Sequence, residues 1–471
     1  IENKKWADAF YLSGSYSKVN KELQTGAIQT IVYGMAEKEQ EAWNMSARYN
    51  KRNLFTDGLQ ANVLVSHTWE HSVTIDTTYR KYQWDGNYIE SSRNEITGRA
   101  KQLRHYKRPL TITRINLDYQ LNEQHAFNVN YMLHRNGNRR YDKIDNDFSP
   151  SKDLLSKHII GISYSQLLFQ EKMANNFFIK NYINHAKIEQ TDLSWITHSD
   201  KIPNKTTENN LGYGIGTRYI FFEPFALKLS YEHAIRLPMA KELLGNGNTI
   251  YPNLALKPES SDNYNAGLFG YIHPDKQHSI SYEANAFFRK VKDYIHAVLS
   301  QSDGTIQYEN VSDVNIKGLE GEIRYLYNNR LQCMINCSYQ DSRNMNKFKQ
   351  DGKPSIIYKN KIPNTPWLYG NGEITFTQPD FFCKTDKLRL SYLYQYIHWF
   401  YLTWEGYGSL ETNTRIPTQH FHSAVISYSL KNDRYNIALE CNNLFDSKLY
   451  DNYMLQKPGR SFTCKFRLFI H

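Results

Sequence analysis

HSISYEANAFFRK, residues 278–290, alternates with a period of two. Ile280, Tyr282, Ala284, Ala286 and Phe288 fall on one face; Ser281, Glu283, Asn285 and Arg289 fall on the other. Successive side chains of a strand point to opposite faces, so the spacing predicts a strand with one apolar and one polar surface. Residues 433–443, DRYNIALECNN, repeat the pattern, with Tyr435, Ile437, Leu439 and Cys441 against Arg434, Asn436 and Glu440. In SFTCKFRLFIH (461–471), Phe462, Cys464, Phe466, Leu468 and Ile470 oppose Thr463, Lys465 and Arg467. Faces that are apolar along a whole segment suit hydrocarbon outside and water inside.

Composition agrees with that setting. The 471 residues contain no apolar run of 18 or more, which excludes a membrane-spanning helix but not a spanning strand. Mean hydropathy is only −0.67, as expected where every second residue is polar. The 36 tyrosines and 8 tryptophans fit aromatic girdles at two bilayer interfaces, although a glycan-active β-protein would also be aromatic. The net charge of +10 comes without a Lys/Arg-rich block, so nucleic acid is not expected as a partner. A basic surface facing an anionic ligand fits the charge. Cys333 and Cys337, four apart in one strand, would lie about 13 Å apart, too far for a disulfide. They read as small apolar surface, without the further ligands that a zinc site needs.

About 20 alternating runs span the chain, from 6–18 to 460–471, and include 25–34, 58–68 and 71–82. Short polar turns are expected at HTWEHS (67–72), LNEQH (121–125), FQEK (169–172), HPDKQ (273–277), YNNR (327–330) and KNDR (431–434). Longer connections lie between them, among them 137–155, 188–207, 237–259, 344–364, 402–416 and 443–459. Sandwiches and propellers turn more often, every 8–12 residues, or repeat a blade signature. The expectation is an all-β chain, a transmembrane antiparallel β-barrel over 1–471, wide enough to enclose a lumen.

One connection is unusual. IRLPMAKELLGNGNTIYPNLALKPE (235–259) is too broken for a helix, too rich in Pro, Gly and Asn for a strand, and half apolar. It resembles the seventh extracellular loop of TonB-dependent outer-membrane receptors, in Ile235-Arg236-Leu237-Pro238, Glu242-Leu243, Tyr251-Pro252-Asn253-Leu254 and Leu256-Lys257-Pro258-Glu259. Further likenesses follow in that family's order: FFRKVKDYI (287–295), Ile316-Lys317-Gly318-Leu319-Glu320, Asn443-Leu444-Phe445-Asp446, Tyr450 and Pro458-Gly459-Arg460. The resemblance implies a 22-stranded barrel in the bacterial outer membrane and an N-terminal plug that meets TonB. Neither the plug motifs nor a TonB box is seen here, so the plug and the first strands are expected to lie outside 1–471. Family members usually end on an aromatic residue, whereas this chain ends Phe469-Ile470-His471.

No catalytic constellation stands out: there is no GxSxG, HExxH, phosphate-cradling glycine loop or CxxC, so no enzyme and no cofactor is expected. His420 and His422 share a face and read as interfacial histidines rather than metal ligands. Ligand capture calls for apolar and aromatic groups with a few placed polar ones. The candidate ligand-binding residues are Arg236 and Tyr251 around the long loop, and Trp404 and Tyr407 beyond YIHWFYL, while Trp399 suits the aromatic girdle. The resemblance implies import of a scarce small ligand. An iron-siderophore leads, because no histidine lies between Pro238 and Tyr251, where haem importers often hold one. Cobalamin or haem import and a passive porin are the alternatives. TonB, outer-membrane lipid, and a surface lipoprotein on the long loops are the partners to consider.

Overall fold

The computed structural model describes residues 2–4, 6–23, 30–33, 36–76, 80–83, 88–90, 102–144, 150–189, 205–245, 250–299, 306–348, 352–406, 415–451 and 456–469. Among the described residues the fold is all-β apart from one five-residue helix, with twenty strands in one sheet. Two compact units are distinguished. One comprises Ile1–Ile215, Glu232–Ser261 and Asp293–Val311; the other comprises Gly216–Tyr231, Asp262–Lys292 and Ser312–His471.

Neighbours in sequence pair as antiparallel hairpins in long, unbroken register. In the first unit Ser151–Leu168 runs against both His125–Asp142 and Met173–Lys187. In the second, Leu331–Asn344, Leu368–Pro379, Lys387–Ile397, Gln419–Leu430, Tyr435–Asn442 and Ser461–Leu468 follow one another, each paired with the next. The tight turns carry the backbone that a hairpin demands. Asn328 and Asn329 have φ of 49° and 53°, and Arg330 N–H closes the turn on Tyr327 O. Asparagine tolerates that left-handed region better than most residues.

The predicted facing holds. Ile437 and Leu439 pair with Phe466 and Cys464 on one side, and with Tyr428 and Ile426 on the other. This stripe is open rather than buried: Leu439 is 55% and Phe466 68% exposed. An apolar stripe that exposed excludes a sandwich core and fits a lipid-facing wall. On the opposite face Asn436 donates to Ser429 Oγ at 2.8 Å, and Lys465 donates to both Glu440 oxygens at 2.6 and 2.8 Å. All five cysteines are unpaired, and no helix among the described residues is long and apolar enough to cross a membrane.

Two expectations near the N-terminus need correction. HTWEHS is no turn, because Leu59–Asp76 is one strand and Trp69 sits mid-ladder between Trp43 and Pro109. Polar residues crowd there because the strand runs well past the length that hydrocarbon requires, so its outer part meets water. The run at 25–34 is no member of the main sheet; its described part, Thr30–Tyr33, pairs with Arg80–Gln83 in a separate small sheet. The strand total is kept by two short members, Glu2–Lys4 and Ile250–Tyr251, that the alternation does not reveal. Ile470 and His471 lie outside the described residues.

One turn is held by a buried carboxylate. Asp386 is 1% exposed and accepts N–H groups of Phe381, Phe382 and Cys383 at 2.5, 2.8 and 3.0 Å, and the Tyr428 hydroxyl at 2.5 Å. Desolvation alone would raise its pKa; the Tyr428 hydroxyl and the backbone donors outweigh it and hold the carboxyl at about 2.

Two outcomes are expected. Lysine at Leu439 costs roughly 2–4 kcal/mol in urea unfolding from bilayers, whereas lysine at Asn436 costs little. Because the folded pKa of Asp386 lies below the ordinary carboxylate value of about 3.9, the ionised group stabilises above that pH and its contribution fades as pH falls toward 2. The stability gap between wild type and Asp386→Asn, wide at pH 6, should therefore close on acidification.

Candidate functional site

The segment after strand Phe225–Arg236 folds into a closed arch within the first unit. Residues Ala240–Leu244 form a single helical turn, which corrects the reading of this stretch as too broken for a helix. Glu242 explains the turn, since its Oε2 reaches back to accept Met239 N–H at 2.7 Å. Leu243 and Leu244, 0% and 1% exposed, pack with Leu254, Leu256, Leu155, Ala186, Ile188 and Ile295. Each buried leucine contributes about 1.5–3 kcal/mol, so the apolar half of the loop anchors it to the neighbouring strands.

Charge fastens both ends of the arch. Arg236 donates to both oxygens of Glu242 at 3.1 Å and to Glu259 Oε1 at 2.7 Å. Glu242 and Glu259 are 3% and 7% exposed, and Glu259 Oε1 also accepts Ile295 N–H at 2.7 Å. One guanidinium thus ties the start of the loop to its end, using the planar fork that suits two carboxylates. The middle is held by Asn253, whose Nδ2 donates to Tyr308 O at 2.8 Å, and by Asn310, which bonds Lys257 through both N–H and C=O. Ile250–Tyr251 adds a two-residue parallel pairing with Ile306 and Gln307.

Of the candidate ligand residues, Arg236 and Tyr251 therefore belong to one module. Arg236 keeps 38% side-chain exposure beside its two carboxylates. Trp404 belongs to the second unit, in the segment after Phe400–Tyr401, and Tyr407 lies outside the described residues. Around Trp404, Glu405 Oε2 accepts Lys361 N–H at 3.2 Å and Phe400, Leu402 and Ile416 are buried. Burial lowers the Lys361 ammonium from its ordinary pKa, while Asp341 at 3.7 Å opposes that shift. Also in the second unit, a pocket of about 270 Å³ opens on the polar face beneath the 443–460 connection, lined by Gln395, Gln419, Phe421 and Asn442 among others.

Sequence reasoning did not foresee the parts played by Glu242, Glu259 and Asn310. Both glutamates stand inside quoted motifs, and a buried acid six residues after an arginine was the available signal. Asn310 carried none, because its role depends on a strand 53 residues away along the chain from Lys257. His420 and His422 lie on the lipid-type face, with Nδ1 atoms bonded to Tyr394 and Tyr392 hydroxyls at 2.8 and 2.6 Å. Among the described residues no group of three or more His, Cys, Asp or Glu could hold a metal.

Removing the guanidinium leaves two buried carboxylates facing each other. Arg236→Met should raise amide exchange at Leu243 and Ile295 by about a hundredfold, with the exposed part of the side chain limiting the loss. Exchange in the Tyr435–Asn442 hairpin should be unchanged, as followed by mass spectrometry.

The model of the TonB dependent receptor-like β-barrel family matches residues 5–444. No curated protein matches the chain. Among solved structures, the copper transporter OprC superposes with TM-score 0.66 at 13% identity, over 97% of this chain and 71% of that one. The FrpB iron transporter from Neisseria meningitidis (F3-3 variant) gives 0.64 at 14%, over 97% and 69%. BauA, the ferric preacinetobactin receptor from Acinetobacter baumannii, gives 0.61 at 10%, over 98% and 73%. At such identities these likenesses speak for the fold. With the family model spanning nearly the whole sequence, the chain belongs to the TonB-dependent receptors, a family of transporters rather than enzymes, and supplies their β-barrel.

Proposed function

We propose that this barrel sits in the Gram-negative outer membrane and imports a scarce small chelate, an iron-siderophore first among them. The observation that carries the reading is the arch, described at 237–245 and 250–259. It is a preformed loop with an apolar core, fastened by Arg236 to Glu242 and Glu259, and it offers Tyr251 on a short added strand. A fastened loop loses little conformational freedom when it closes on a ligand, which favours tight capture of a dilute molecule.

In this reading Arg236 shapes the arch and presents its exposed edge to the ligand, while Tyr251 on the same arch supplies aromatic contact. The solved structures named for iron and ferric-siderophore transport support an iron chelate, as does the absence of histidine between Pro238 and Tyr251. Cobalamin and haem are the competing cargoes. Family membership brings TonB as the energising partner, through a plug domain beyond these residues; without a plug the same barrel would act as a porin. The long loops also leave a surface for a lipoprotein partner.

The test is growth of an iron-starved host in which this receptor is the sole importer, given ferric chelates, haem or cobalamin singly. Growth on a ferric chelate is expected. Deleting 239–257 should abolish it while the protein still migrates as a heat-modifiable barrel. Growth on haem or cobalamin alone would replace the siderophore assignment, and unaltered uptake by the deletion variant would remove the arch from the function.

A further inference from the structure

The polar face of the last strands carries a cavity built from residues that the arch does not use. Residues paired across a sheet share a face, and Asn442 pairs with both Ser423 and Ser461. Glu440, two positions earlier, meets Lys465 on the polar face, so Asn442 and its two neighbours lie there as well. Phe421 and Gln419 follow from Ser423 by the same period of two, and Gln395 follows from its pairing with Phe421. The alternation that turns Ile437 and Leu439 outward therefore gathers three amides and a ring on one wet patch.

The connection that follows, described at 443–451 and 456–460, roofs this patch through bonds made within the protein. Asn443 is 2% exposed and commits both ends of its amide to Ser447, donating to the carbonyl at 2.8 Å and accepting the N–H at 2.9 Å. Asp446 Oδ1 accepts Arg460 N–H at 2.7 Å, and Leu449 O accepts Lys457 N–H at 2.8 Å. Tyr450 N–H donates to Gln419 Oε1 at 2.7 Å. That bond orients the glutamine, which is 5% exposed. A backbone N–H can only donate, so the carbonyl end serves the roof and the NH2 end is left for the cavity. Asn442 is set likewise, its Oδ1 accepting the Ser423 hydroxyl at 3.3 Å. Gln395 is exposed and lines the same cavity of about 270 Å³.

The chemistry of the lining selects its occupant. Neutral amides dominate it, Lys457 is its cation, and among the described residues no carboxylate or thiol lines it. A highly charged chelate would meet one exposed ammonium there, too little to offset its desolvation. A hydroxylated ring is the better match, because each hydroxyl donates and accepts as an amide does, and its C–H face packs on an aromatic ring. We propose that this cavity is a binding site for a neutral, hexose-sized sugar, with Gln395, Gln419 and Asn442 holding hydroxyls and Phe421 lying under the ring. The roof and the amides are set before the sugar arrives, so little ordering opposes binding. The site shares no residue with the arch, and the proposal stands whatever the arch captures.

The test is saturation-transfer NMR on the full chain in lauryldimethylamine oxide, a detergent without a sugar headgroup. The probes are the methyl glycosides of glucose, galactose and mannose. A saturable signal from at least one glycoside is expected, with sorbitol, an open-chain polyol that cannot lie flat on Phe421, about tenfold weaker. Gln395→Leu and Phe421→Ala should each weaken binding by about tenfold. Lys457→Gln should leave it within about twofold, and citrate should not compete. Gln395 is exposed, so its replacement keeps the fold even if loss of the Phe421 ring disturbs the wall, and heat-modifiable migration checks both variants. Absence of any saturable glycoside, equal binding of sorbitol, or wild-type affinity in Gln395→Leu overturns the proposal. Loss of binding in Lys457→Gln together with competition by citrate overturns it in favour of an anion site.

Discussion

Hydrocarbon offers no partner to a backbone N–H or C=O, so a chain that crosses a membrane must satisfy every such group within itself. The long hairpin ladders are the answer, and the rest of the molecule follows from them. Once the backbone is committed to ladders, side chains can only alternate, and one face must be greasy while the other is wet. That is why Ile437 and Leu439 are open on one surface while Asn436 and Glu440 find polar partners on the other. In a soluble protein such exposure would be an aggregation hazard. Here it defines the solvent for which the protein is built.

The same constraint explains where complexity collects. Within hydrocarbon a strand has little freedom, so invention is confined to the connections beyond it. The tight turns settle for local devices, such as the paired left-handed asparagines at 328–329 and the Asp386 carboxylate gathering three N–H groups. The long connections build tertiary structure of their own. In the 237–259 arch, apolar burial supplies the attachment and the Arg236 bridges supply the shape, a division of labour common where a loop must be rigid without a large core. In the second unit the 344–367 and 398–406 connections use aromatics and cations instead.

Much was legible in the amino-acid order because period two is a local property. Alternation alone gives the fold class, the lipid-facing residues of the C-terminal strands and most of the tight turns. Five ordered motifs give the family. Legibility failed where local pattern and tertiary role part company. Trp69 and its polar neighbours read as a turn, yet they sit inside a strand that outruns the bilayer. Ala240–Leu244 reads as irregular, yet one glutamate reaching back to Met239 closes a helical turn.

What the linear chain decided, then, is which side of each strand meets oil and where the chain may reverse, since both depend on neighbours two or three positions apart. The partners of Arg236 lay beyond its reach. Glu259 is placed opposite that arginine only when the intervening loop has folded onto Leu155 and Ile188, side chains contributed by other hairpins. The cations over Trp367 and Trp399 likewise exist as a group only once two separate connections converge at one strand end. Burial and charge pairing act through space, and only the folded sheet brings those residues within range.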